Sequence, residues 1–110
     1  MKILVIDDEA LIVRSLTRLL RMHDVVGAAN GAEALALLED DAAFDGVFCD
    51  VRMPDADGVE LAGQISRRWP HLAERICMCS GSESLGVDLP RLEKPFSRAA
   101  LLDQVSRWGD

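Results

Sequence analysis

Four reactive segments punctuate this chain: an acid pair, Asp7-Asp8, in ILVIDDE; a single acid, Asp50, in FCDVRMPDADG; a hydroxyl, Ser80, in CMCSG; and an ammonium, Lys94, in LEKPF. Each follows a short apolar run, which places it at the carboxyl end of a β-strand, and ligands of open α/β sheets bind outside that edge. Three carboxylates and one ammonium converging there would make a site for a divalent cation and a phosphoryl group. A carboxylate that accepts a phosphoryl group becomes an acyl phosphate. The attacking oxygen and the phosphoryl oxygens are all anionic, so their charge must be neutralised before they meet. The chemistry is then mostly positioning and electrostatic stabilisation.

The elements that must position these groups alternate strand and helix, which implies βαβ units and a parallel sheet. Ile3 to Ile6 is a continuous apolar run suited to a strand covered on both faces. From Asp8 onward Ile12, Leu16, Leu19 and Leu20 recur at helical spacing, with Arg14, Arg18 and Arg21 off that stripe. Asp24 to Ala28 is a weaker strand ended by Asn30-Gly31, and Ala32 to Leu38 a short helix with Ala34, Leu35 and Leu38 inward. Gly46 to Cys49 is the third strand, ended by Asp50. Pro54 and Gly58 bracket a loop, and Val59 to Trp69 forms a helix that Pro70 stops. Arg75 to Cys79 is the fourth strand. Ser97 is the N-cap of a last helix whose stripe is Leu101, Leu102, Val105 and Trp108.

One stretch breaks the rhythm. Only thirteen residues, Gly81 to Glu93, separate Ser80 from Lys94. Two loops, a helix of average length and a strand would need roughly twenty or more. The fourth helix is therefore expected to be one turn or missing, with a short fifth strand near Leu89 to Glu93.

Composition bounds the function. At 110 residues the chain makes one domain, 1–110, and 49% hydrophobic with 28% charged residues is an ordinary globular balance. A net charge of -7 argues against a nucleic-acid surface. The N-terminal apolar run is too short for a signal peptide or a membrane span, so a cytoplasmic location without membrane contact is expected. Cys49, Cys77 and Cys79 lack metal-ligand spacing and read as small buried apolar residues in a reducing compartment. His23 and His71 read as surface histidines, and Trp69 and Trp108 as core or rim. Nothing in the sequence sets an oligomeric state.

The ordered set of Asp7-Asp8, Asp50 within D-x-x-M-P-x-x-D-G, Ser80 and Lys94-Pro95 resembles the receiver domain of two-component response regulators, over Lys2 to about Trp108. The resemblance implies a flavodoxin-like three-layer α/β sandwich with a five-stranded parallel sheet of order 2-1-3-4-5. It implies that Asp50 is the phosphoacceptor and that the cofactor is Mg²⁺, a cation that takes hard oxygen ligands and retains several waters. Asp8 and Asp50 would be direct ligands, with the Arg52 backbone carbonyl as a third and Asp7 acting through a bound water. Lys94 would neutralise phosphoryl oxygens, and Ser80 would be the switch hydroxyl. The implied partner is a sensor histidine kinase or a histidine phosphotransfer protein, with chemistry confined to the domain's own aspartate and no external substrate. Asp55 and Asp57 read as turn and helix-cap residues.

Other readings compete. Asp7-Asp8 alone could simply favour the dipole of the first helix. An aspartyl-nucleophile phosphatase of the haloacid-dehalogenase type would resemble D-x-D, but the position two beyond Asp50 is Arg52. A receiver-like interaction domain that no longer switches would fit the short segment after Ser80. It would also fit Arg91, which stands where many receivers carry an aromatic residue. The chain could be a stand-alone regulator, the receiver part of a hybrid kinase or the start of a longer regulator, and Met1 so close to the first strand only mildly disfavours an internal excerpt.

Overall fold

The computed structural model describes residues 1–53, 56–80, 91–93 and 97–109. Among the described residues the strands are β1 (Lys2–Ile6), β2 (Asp24–Ala28), β3 (Gly46–Asp50), β4 (Arg52–Met53), β5 (Ala56–Asp57), β6 (Ile76–Ser80) and β7 (Arg91–Glu93), and all but β4 and β5 form one sheet. Its order is β2-β1-β3-β6-β7, and every pairing is parallel. Relabelled by sequence among these five strands, this is the expected 2-1-3-4-5 order of a flavodoxin-like sandwich. Helices α1 (Ala10–Leu19), α2 (Gly31–Asp40), α3 (Gly58–Arg68) and α4 (Arg98–Gly109) cover it.

Strand alternation sorts the core into two layers. Leu4, Ile6, Val47, Cys49, Ile76 and Met78 face α2 and α3, packing on Ala34, Leu38, Leu61, Ala62 and Ile65. Ile3, Val5, Phe48, Cys77 and Cys79 face the opposite way, onto Leu16 of α1, the adjoining Leu20, and Leu101, Val105 and Trp108 of α4. Both faces of β1 and β3 are thus covered, which is why those strands read as unbroken apolar runs. Among the described residues no helix is long and apolar enough to cross a membrane.

The helix ends follow from local chemistry. The Asn30 side chain accepts the Glu33 N–H at 2.8 Å, Asp57 accepts that of Val59 at 2.8 Å, and Ser97 accepts that of Ala100 at 3.0 Å. Pro70 ends α3 and opens a single 3-10 turn, Pro70–Leu72.

Two expectations are corrected. Helix α1 begins at Ala10 rather than at Asp8, because Glu9 is extended (φ -90°, ψ 106°) and the Asp7 carboxylate captures its N–H at 2.9 Å. The stretch after Asp50 is not a plain loop: β4 (Arg52–Met53) and β5 (Ala56–Asp57) pair antiparallel, Arg52 opposite Asp57. The expectation of a fourth helix of one turn or none concerns residues 81–90, which lie outside the described residues.

Candidate functional site

Parallel register carries the acids together. Ile6 pairs with Cys49, so the residues after β1 and the last residue of β3 emerge side by side at the carboxyl edge. One carboxylate oxygen from each of Asp7, Asp8 and Asp50 lies within 4.8 Å of the others. Asp7 is 3% exposed and Asp50 7%, whereas Asp8 is open to solvent. Asp7 is held from the neighbouring strand and from its own segment: it donates its N–H to Ala28 of β2 at 3.0 Å, and one of its carboxylate oxygens takes the Glu9 N–H.

Directly after Asp50 the main chain is tied twice, at the amide and the carbonyl of Val51. The Val51 N–H donates to the Cys79 carbonyl at 3.1 Å, and the Gly58 N–H donates to the Val51 carbonyl at 2.8 Å, closing the segment that carries β4 and β5. Arg52 opens β4 with its side chain exposed, directly after the Asp50-Val51 step. Asp57 caps α3, as its sequence context predicts.

Gathering carboxylates with two of them buried is costly unless positive charge offsets their repulsion. Their field reaches the neighbouring thiol. Cys49 is pushed up to about 12, by burial first and then by the charges of Asp50, Asp7 and Asp57. That thiol is therefore neither a nucleophile nor a soft metal ligand at neutral pH. The donor set is all carboxylate oxygen, and among the described residues no His or Cys joins it. Such a set suits a hard divalent cation, Mg²⁺ included. A cleft between the start of α1 and the β2–α2 joint, lined by Asp7, Asp8, Val13, Arg14, Ala28 and Glu33, opens Asp7 and Asp8 to approach from solvent.

The structure thus brings together Asp7, Asp8 and Asp50. Ser80 is the last residue of β6, next to β3, and pairs with Glu93 of β7. Lys94, Pro54 and Asp55 lie outside the described residues. Sequence reasoning missed the β4–β5 pairing and the closeness of Gly58 to Asp50. The Asp57-Gly58 dipeptide ahead of an amphipathic helix signals a cap, but nothing in it signals contact with another strand.

A sheet of this order with clustered acids beyond β1 and β3 defines a class, and comparison with known proteins agrees. The model of the response regulator receiver domain matches residues 3–106. The chain belongs to that family, the receiver domains of two-component signal transduction. It is similar to the response regulator protein FleR of Pseudomonas aeruginosa, with 36% identity over 96% of this chain and 24% of FleR. It is also similar to hybrid signal transduction histidine kinase E of Dictyostelium discoideum, with 32% identity over 96% of this chain and 7% of the kinase. The chain therefore spans about a quarter or less of these relatives. The crystal structure of a response regulator receiver protein from Sinorhizobium medicae WSM419 superimposes with a TM-score of 0.85 at 33% identity, covering 98% of this chain and 93% of that one.

Proposed function

We propose that this chain, as one receiver domain over 1–110, is a phosphorylatable switch whose acceptor is Asp50. The observation that carries this reading is the convergence of Asp7, Asp8 and Asp50 oxygens within 4.8 Å at the carboxyl edge of the sheet. The donor is the phosphohistidine of a sensor histidine kinase or of a histidine phosphotransfer protein. A carboxylate oxygen of Asp50 forms the new bond to phosphorus while the bond from phosphorus to the donor's imidazole nitrogen breaks. The electron pair of the broken bond returns to that imidazole. Water later attacks the phosphorus, returning the free carboxylate and inorganic phosphate.

Each residue has a role in this reading. Asp8 and Asp50 would hold Mg²⁺ directly, the Arg52 carbonyl would be a third protein ligand, and Asp7 would act through a bound water. When bound, the cation supplies positive charge against the carboxylates and the incoming phosphoryl oxygens. The ammonium of Lys94 makes charge-assisted hydrogen bonds to those oxygens, and the Ser80 hydroxyl donates another. Strong tethering of the Asp50 main chain supports the reading, because positioning is most of the catalysis in phosphoryl transfer. The chemistry is confined to the domain's own aspartate, in the cytoplasm, with no nucleic acid bound through this domain.

The test is intact mass after incubation with acetyl phosphate and Mg²⁺, alongside Asp50→Asn and an EDTA control. One added phosphoryl group, absent in Asp50→Asn and with EDTA, is the expected outcome. No addition from acetyl phosphate or from a histidine kinase would leave a receiver-like interaction domain that does not switch.

A further inference from the structure

Gly58 is the first residue of α3, and its placement against β3 is unusually close. A β-carbon there would lie 1.9 Å from the Asp50 carbonyl oxygen, 2.8 Å from the Val51 Cα and 2.9 Å from the Asp50 carbonyl carbon. All three are main-chain atoms, so no rotation of a side chain could relieve the clash. The φ of Gly58 lies outside the left-handed region, so glycine is required here for space and not for conformation. Behind the contact, the buried Cys49 thiol lies 3.4 Å from the Asp50 carbonyl and 3.7 Å from that of Gly58. Gly63, five residues further along the same helix, is different: its β-carbon would meet only the end of the Arg67 guanidinium, at 3.3 Å.

We propose that Gly58 is a positioning residue for the acceptor. Its missing side chain seats α3 on the Asp50 main chain and so sets where the Asp50 carboxylate and the Arg52 carbonyl stand relative to Asp7 and Asp8. The contact itself is independent of function; its consequence rests on the reading of Asp50 as acceptor and metal ligand. Real β-carbons stay beyond 3.0 Å from other heavy atoms, so any side chain at 58 must displace Asp50 or α3 by about 1 Å. A misplacement of that size costs on the order of a hundredfold in rate. Lost support around metal ligands costs about tenfold to a hundredfold in affinity.

The experiment compares wild type, Gly58→Ala and Gly63→Ala by amide NMR, Mg²⁺ titration and acetyl phosphate labelling. Gly63→Ala should match wild type throughout. Gly58→Ala should shift amides of Asp50 through Asp57, weaken Mg²⁺ binding by about tenfold or more, and slow labelling on the order of a hundredfold even at saturating Mg²⁺. A merely structural glycine would lower the melting temperature yet leave the Mg²⁺ affinity and the rate of the folded protein unchanged, and that result overturns the proposal. A wild type that binds Mg²⁺ but takes no phosphoryl group would sink the acceptor reading alone, with Mg²⁺ affinity still judging Gly58. A wild type that binds no Mg²⁺ leaves the amide shifts to judge it, and unmoved Asp50 to Asp57 amides would refute it. If Gly58→Ala does not fold, Cys49→Ala loosens the same contact from behind. Several-fold weaker Mg²⁺ binding, or moved Asp50 to Asp57 amides where no Mg²⁺ binds, is then expected, and no change overturns the proposal.

Discussion

Asp50 of β3 and Cys79 of β6 are register partners, and the amide one residue beyond the acid, that of Val51, still donates to the Cys79 carbonyl at 3.1 Å. The ladder therefore runs one bond past Asp50 before the chain turns away. A side chain at a free strand end would sample several positions, whereas this one is anchored by sheet hydrogen bonds on either side of its Cα. Ser80 follows Cys79 directly as the last residue of β6.

Crowded carboxylates make metal binding and stability interdependent. Without divalent ions, Asp8→Asn is expected to raise the melting temperature, because it removes one of the charges gathered within 4.8 Å. In saturating Mg²⁺ the order should reverse. A ligand at a hundred times its Kd stabilises the folded state by about 2.7 kcal/mol, and the variant forfeits much of that. Thermal melts with EDTA and with Mg²⁺ check both halves, and an unaltered ranking would contradict the site.

At the far end of the sheet, Lys2 Nζ meets Asp41 Oδ2 at 2.7 Å and lies over the Phe44 ring. The Lys2 hydrogen bond, then the Ala43 N–H, hold the Asp41 carboxyl below its ordinary 3.8, and the Asp41 hydrogen bond holds the Lys2 ammonium above its ordinary 10.5. A depressed acid contributes stability above its unfolded pKa and loses it as pH falls through the folded one. A raised base contributes below its unfolded pKa and loses it as pH rises through the folded one. The pair should therefore contribute undiminished between about pH 4 and pH 10. Carboxyl titration by NMR should place Asp41 below 3.8 and return it toward that value in Lys2→Ala.

The thiols of Cys49 and Cys77 are pushed up to about 12, chiefly by burial, and Cys79 is equally enclosed. A disulfide-exchange reagent at pH 8 should label none of the three in the native state and all three in denaturant, because the thiolate is the nucleophile. Rapid native labelling of any one would show that its layer opens.

Trp108 of α4 fills the space that Gly46 leaves. A β-carbon at Gly46 would lie 2.1 Å from the indole, and the indole sits 4.8 Å from the Phe48 ring. Gly46→Ala should cost about 1–3 kcal/mol by overpacking. In a Trp108→Leu background the same change should cost less, since contacting residues do not act additively. Urea denaturation of the four proteins measures that coupling.

Much of this molecule is legible from its residues. The runs Ile3 to Ile6 and Gly46 to Cys49 announce covered strands, and the acids that end them announce a site at the carboxyl edge. Asp57 and Ser97 mark helix starts, since capping is a matter of one side chain and the next few amides. These signals are local and survive in a linear reading. What only the tertiary structure decided is non-local. Strand order and register put Asp7, Asp8 and Asp50 oxygens within one cluster. An Asp7 hydrogen bond delays α1 to Ala10, and β4 pairs with β5 where a loop was expected. Gly58 packs against the Asp50 backbone, and Trp108 nests on Gly46. Periodicity tells which face of an element is buried, but not which atom of a distant element it meets. That depends on how all the layers fill space at once.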